Sequence, residues 1–194
     1  MFRWLALVCV VLVFAISLHH RRLARKAGET IARRREGPLF MLIRAVFALP
    51  LFAAVVAYLI NPAWMSWAAL ALPDWLRWLG VVVGLLCIPS AWWLFSNLGK
   101  NVSETVLTKS DHSLVTTGPY RWVRHPLYAT GGALLLAVGL MAANWFILAL
   151  ASVVVVVIRW LVVPREEAAL IAKFGDDYRH YIHRTGGMLP RLLR

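Results

Sequence analysis

The sequence predicts an all-α integral membrane protein of about five transmembrane helices, with its N-terminus outside and its C-terminus cytoplasmic. Three observations predict this. Apolar residues make up 61% of the 194 and the mean hydropathy is +0.69, more than one soluble core of this size can hide. The apolar residues fall in five runs, each close to the length that crosses a bilayer. The Lys and Arg residues gather in alternate gaps between the runs, so the net charge of +12 reports topology, not a nucleic-acid face.

Residues 2–18 form the first run, long enough to span if Arg3 snorkels to the outer interface. The basic run that follows it, and the lack of an A-x-A-like site before His19, favour a retained helix over a cleaved signal peptide. The polar segment 19–38 carries seven Lys and Arg. Residues 39–60 make the second span, with Pro50 as its kink. Residues 61–74 hold Trp64 and Trp67 but no Lys or Arg, as suits an interfacial loop.

The third span covers 75–98 and contains Pro89, and a long polar loop, 99–125, follows it. Spans four (126–142) and five (145–163) are separated only by Ala143 and Asn144, which makes them an antiparallel hairpin. From Pro164 the chain is charged and amphipathic. Seven basic residues in the first loop, four in the third and six in the C-terminal segment set those parts in the cytoplasm by the positive-inside rule. The protein is thus expected to be multi-pass in a cell inner membrane or its equivalent. Cys9 and Cys87 lie inside apolar runs and resemble no metal clip or redox pair.

Two clusters on the cytoplasmic side carry chemistry. In the first, His112 to Tyr128, the Gly118-Pro119 pair forces a turn or an extended step. His125 precedes Pro126, which puts its imidazole at the N-terminal mouth of span four, beside orphan backbone N–H groups that favour an anion. An interfacial loop holding lipid headgroups is the alternative for this cluster. The second cluster comprises Arg159, Arg165, Glu166 and Glu167, then Phe174-Gly175 and Tyr178 to Tyr181. Arg159 interrupts an apolar run, so it faces protein or a wet cavity, or else snorkels. Glu166 and Glu167 point about 100° apart on a helix, so only one can fully face a given site. One carboxylate can take a ligand ammonium while the other pairs with arginine or caps structure. Such a pocket suits a charged cofactor from water that meets an apolar substrate from the bilayer. No nucleophile-elbow serine, metal-ligand histidine spacing, P-loop or Rossmann fingerprint is present.

The ordered motifs Leu114-Val-Thr-x-Gly-x-Tyr120, Arg124-His-Pro-x-Tyr128 and Glu166-Glu167, followed by Phe174-Gly175-x-x-Tyr178-x-x-Tyr181-x-x-Arg184 and Leu189-Pro190, resemble the isoprenylcysteine carboxyl methyltransferase family. The wider superfamily includes phospholipid N-methyltransferases of the membrane, and the resemblance covers roughly residues 98–190. It implies a methyltransferase core in 99–194, whose C-terminal helical region binds cofactor, while the three N-terminal spans read from hydropathy fill 1–98. It also implies S-adenosyl-L-methionine as methyl donor. The implied cofactor residues are His112, Ser113, Leu114, Val115, Tyr120, His125, Pro126, Leu127, Tyr128 and Glu166. An arginine of the eukaryotic enzymes, one turn before the matched glutamate, is Val162 here, and a family glutamine is Thr105. Arg159 or Arg165 can stand in for the arginine, so Arg159, Arg165 and Glu167 are the candidate catalytic residues. The implied activity is methylation of a lipophilic small molecule or a lipid-linked acceptor. A phospholipid amine N-methyltransferase is one alternative, and a non-catalytic membrane protein keeping the fold is another.

Overall fold

A computed structural model of the chain describes residues 1–27, 38–101 and 113–191. Among them no strand forms, and the helices are α1 (Phe2–Ala27), α2 (Pro38–Ile60), α3 (Asp74–Leu98), α4 (Pro126–Ala142), α5 (Trp145–Val157), α6 (Val163–Phe174) and α7 (Asp176–Arg184). Three helical stretches are long and apolar enough to cross a membrane: Phe2–Lys26, Asp74–Leu98 and Trp145–Phe174. Two shorter apolar helices, Ala45–Ile60 and Pro126–Ala142, accompany them. The protein is therefore a multi-pass integral membrane protein.

Helix α1 runs past residue 18 to Ala27, through a stretch expected as loop. The added turns are rich in arginine, a good helix former, and end on Arg25 and Lys26, which complement the C-terminal end of the helix dipole. At the other end, Arg3 donates to the Ile60 carbonyl and lies over the Trp4 ring, as a snorkelling residue should. The 61–74 loop contains a short 3-10 helix, Pro62–Ala68, capped by the Asn61 side chain.

The core sits among α1 to α5, around Ala6, Cys9, Leu51, Tyr58, Val138, Met141 and Ile147. Small residues let the helices approach closely. A Cβ on Gly80 of α3 would lie 2.8 Å from the Ala137 carbonyl of α4, so only glycine allows that crossing. The α4–α5 joint is closed by Ala143 in the left-handed region (φ 47°) and by Asn144. The Asn144 side chain accepts from the Ile147 N–H and donates to the Met65 carbonyl, tying the hairpin to the 62–68 turn.

All ten tryptophans are exposed on the protein surface. Trp4, Trp64, Trp67, Trp75, Trp78 and Trp145 stand at the end where α1 begins, and Trp92, Trp93, Trp122 and Trp160 stand towards the opposite end. Two girdles of exposed indole at the ends of an apolar bundle mark the two headgroup layers.

Helices α5 and α6 form one continuous rod, joined by a π turn over Ile158–Val162. Pro164 has no N–H to give, and the ladder accommodates it by a wider turn in which the Val163 N–H reaches back to the Ile158 carbonyl. Thirty residues of helix are roughly 45 Å long, against roughly 30 Å of hydrocarbon. The charged last turns, from Pro164, accordingly project beyond the apolar slab.

Candidate functional site

The projecting α6 meets the N-terminal mouth of α4 and the end of α7. His125 occupies the N-cap position of α4, with Pro126 starting the helix, and both are buried. What holds the mouth in place is the chain beyond α7. The Gly186 N–H donates to the Trp122 carbonyl, the Arg124 N–H to Gly186 and the His125 N–H to Gly187, which makes a short parallel clamp. A Cβ on Gly186 would fall 1.8 Å from the Leu189 carbonyl, so this close chain turn needs glycine there.

Within that frame the charged side chains converge. His125 Nε2 lies 3.0 Å from Glu167 Oε1, and its Nδ1 lies 3.9 Å from Glu166 Oε2. Arg124 Nε donates to the same Glu167 oxygen at 2.8 Å. The Nη1 of Arg124 donates to the carbonyls of Ile182 and Thr185, orphan acceptors at the C-terminal end of α7. Arg124 therefore bolts α6, α7 and the α4 mouth together. Burial alone would raise the Glu167 carboxyl. The hydrogen bonds from His125 and Arg124, with the Arg124 charge, outweigh burial and hold its pKa at about 2.

A tyrosine layer lies behind the carboxylates. Tyr178 and Tyr181 are buried and in edge contact, joined by Leu170, with Leu114 packed against them. The Tyr181 hydroxyl donates to the Tyr120 carbonyl. Tyr120 is buried too, and burial followed by the nearby Glu166 charge pushes its phenol pKa up. The Tyr178 ring is only 1% exposed, and its hydroxyl has no hydrogen-bond partner among the described residues. Burial and then the Glu167 charge keep that phenol protonated, so it presents a buried, available donor beside the carboxylates.

The positions singled out from sequence fall into groups. His125, Tyr128, Tyr120 and Glu166 come together, Tyr128 stacking on the His125 ring with centroids 5.9 Å apart. Ser113 is tied to Asn101 by its backbone N–H, its carbonyl and its hydroxyl. Val115 is half-buried. Leu127 packs into the cluster of Ala24, Ala91, Leu94 and Phe95 between α1 and α3. Glu167 is engaged with Arg124 and His125. Arg165 is exposed. Arg159 lies beside the Trp160 ring and lines an apolar groove of about 540 Å³ between α4 and α5. Ala129, Gly132, Ala133 and Val155 form its walls, and Gly187, Met188 and Leu189 of the clamp close it on the site side. His112 and Thr105 lie outside the described residues.

Sequence reasoning counted Arg124 among the topological charges and within the Arg-His-Pro motif, and assigned no site role to it or to Asn101, Tyr178 or Gly186. The only sequence signal for Arg124 is its place directly before His125 and Pro126.

A family model described as "Phospholipid methyltransferase" matches residues 75–177, more than half of the chain. The chain belongs to the phospholipid methyltransferase family. It is an integral membrane methyltransferase with an isoprenylcysteine carboxyl methyltransferase-like fold. The solved structure of the eukaryotic intramembrane Ras methyltransferase ICMT superposes with a TM-score of 0.57 at 23% identity, over 75% of this chain and 51% of that one. The protein-S-isoprenylcysteine O-methyltransferase of Schizosaccharomyces pombe is 33% identical over 94 residues, 47% of this chain and 40% of the yeast protein. The uncharacterized protein YpbQ of Bacillus subtilis is 25% identical over 173 residues, 86% of this chain and 95% of its own length. The chain thus matches less than half of the yeast enzyme but nearly all of the bacterial protein.

Proposed function

We propose that this phospholipid methyltransferase family member uses S-adenosyl-L-methionine to methylate a lipophilic acceptor at the cytoplasmic membrane face. The observation that carries the reading is the His125–Glu166–Glu167 cluster at the mouth of α4, backed by the apolar α4–α5 groove. The donor would supply an electrophilic methyl on a sulfonium, transferred by in-line displacement, a reaction in which alignment and exclusion of water matter most.

The residues fit such a ligand. Glu166 offers a carboxylate for an ammonium, the α4 mouth offers backbone N–H groups for a carboxylate, and Tyr120 and Tyr128 offer rings for a purine. The unpartnered Tyr178 hydroxyl is a further donor. Glu167 acts as a positioning residue, since its charge is spent on Arg124 and on fixing the His125 ring. Arg159 stands on the groove by which an apolar acceptor would come from the bilayer. On this reading residues 99–194 make the transfer core, and the basic residues of the first loop and C-terminal segment put it in the cytoplasm.

The yeast relative, a protein-S-isoprenylcysteine O-methyltransferase, favours a prenylcysteine-like carboxylate, which needs little base catalysis. The family description favours a phospholipid amine as the second reading. Calorimetry of the purified protein with S-adenosylhomocysteine tests the donor. Wild type should bind, whereas Glu166→Ala and His125→Ala should not, and absence of binding by wild type removes the proposal. Labelled donor incubated with membrane lipid extract identifies the acceptor. Label in phosphatidylethanolamine-derived products would select the amine reading. A reporter fused after Arg194 tests orientation, and periplasmic activity would reverse it.

A further inference from the structure

A second cluster of cations lies outside the His125 cluster. Arg121, Trp122, His183, Arg184, Pro190 and Arg191 enclose a surface pocket of about 560 Å³. Three guanidiniums line it, and among the described residues no carboxylate does. Among the described residues Arg121 makes no hydrogen bond or ion pair. Arg184 spends only its Nε, on the His180 carbonyl at 3.4 Å, and Arg191 one Nη1, on the His183 carbonyl at 2.6 Å. Their remaining N–H groups make no hydrogen bond among the described residues. Of the described acids nearby, Asp176 pairs with Arg179, and Asp177 lines an adjoining cavity that shares Arg121 and Arg184 with this pocket but is not among this pocket's own walls.

The depth of this pocket decides what it meets. Trp122 forms one wall and contacts Trp93 of α3, with ring centroids 5.6 Å apart, and both indoles are exposed. They belong to the girdle at the site end of the bundle, the level of lipid headgroups. Leu189, 78% exposed, projects from the segment just before Pro190 and Arg191. Guanidiniums in a fork geometry beside interfacial indole and an exposed leucine match a phosphate with acyl chains attached. A soluble phosphate would gain nothing from the apolar neighbours.

We propose that Arg121, Arg184 and Arg191, with Trp122, bind the phosphate-bearing headgroup of an anionic membrane lipid. The site is distinct from the transfer site, because Arg124, only three residues after Arg121, turns inward to Glu167 and α7. Its occupant would nevertheless brace that site. Trp122 and the chain up to Arg191 flank the clamp whose Gly186 and Gly187 hold Arg124 and His125. A lipid bridging the two sides of the pocket ties the clamp down.

The test uses the purified full chain in neutral detergent, with thermal unfolding followed as short-chain lipid is added. Dioctanoyl phosphatidylglycerol should raise the transition saturably, and dioctanoyl phosphatidylcholine should not. Each lost guanidinium should weaken the apparent affinity about fivefold, and R121Q/R184Q therefore roughly 25-fold. R22Q/R25Q, which removes the same charge from the end of α1, should leave it unchanged. Should the double variant fold poorly, R121Q alone carries the test, with its expected fivefold loss. Equal weakening by R22Q/R25Q would mean diffuse surface charge and overturn the site. A matching shift from glycerol 3-phosphate at the same concentrations would mean a soluble anion and overturn the lipid assignment.

Discussion

Replacing Glu167 by glutamine keeps the shape of the side chain and removes the charge that Arg124 and His125 share. Glu167 is mostly buried, with a side chain 19% exposed, and its folded pKa is about 2 against a model-peptide value of 4.5. A downward shift of that size corresponds to about 3 kcal/mol of stability, at 1.36 kcal/mol per unit. The sign follows from linkage. A carboxyl whose pKa is depressed by folding contributes its full stability above the unfolded value and loses it as pH falls through the folded one. Wild type and Glu167→Gln should therefore differ by about 3 kcal/mol above roughly pH 5.5, converge between pH 4.5 and 2, and coincide below that. For a chain of this length such a difference moves the midpoint by roughly 6–12 °C. Thermal unfolding of the detergent-solubilised pair at pH 7 and at pH 3 measures it. An unchanged midpoint at pH 7, or a gap that persists undiminished towards pH 2, would refute the claim that Glu167 is an ionised anchor.

Three further outcomes are expected. Tyr178→Phe should leave stability unchanged or raise it by about 1 kcal/mol, because it deletes an unpartnered buried hydroxyl. It should also weaken S-adenosylhomocysteine binding roughly tenfold by calorimetry if that hydroxyl meets the donor. Gly186→Ala should cost about 1–3 kcal/mol through the clash with the Leu189 carbonyl and open the clamp to limited proteolysis, while helix content by circular dichroism stays the same. Asn144→Ala removes both the α5 cap and the bond to the Met65 carbonyl, and thermal unfolding should show a loss of about 1–2 kcal/mol with donor binding retained, since the residue sits at the far end of the bundle.

Arg124 and the clamp explain how a site built from distant segments keeps its geometry in a thin layer at the membrane surface. Glu166 and Glu167 ride on a helix anchored in the apolar bundle, His125 starts another, and α7 and residues 185–187 close over both. Arg124 and the clamp join them by hydrogen bonds made outside the apolar slab. There water competes, and only partial burial protects the network.

The sequence by itself determined where most of the membrane helices lie, the run of α1 past residue 18 excepted. Span four and the start of span five, the end of span three and the two-residue hairpin were all legible to the residue. A membrane helix is a local object, set by an unbroken apolar run and its Pro, Gly and Asn punctuation. The motif order also sufficed to place His125 and Glu166 in one region. Tertiary structure decided the partnerships. Helical geometry says that two adjacent glutamates cannot both squarely face one point. The fold resolves this by setting the imidazole between them, with one nitrogen bonded to Glu167 and the other 3.9 Å from Glu166. The sorting of one arginine into the site and its near neighbour towards the lipid surface was likewise invisible in sequence. Arg121 and Arg124 have the same chemistry, and what separates them is contact with segments some 40 to 70 residues away, which no local pattern encodes.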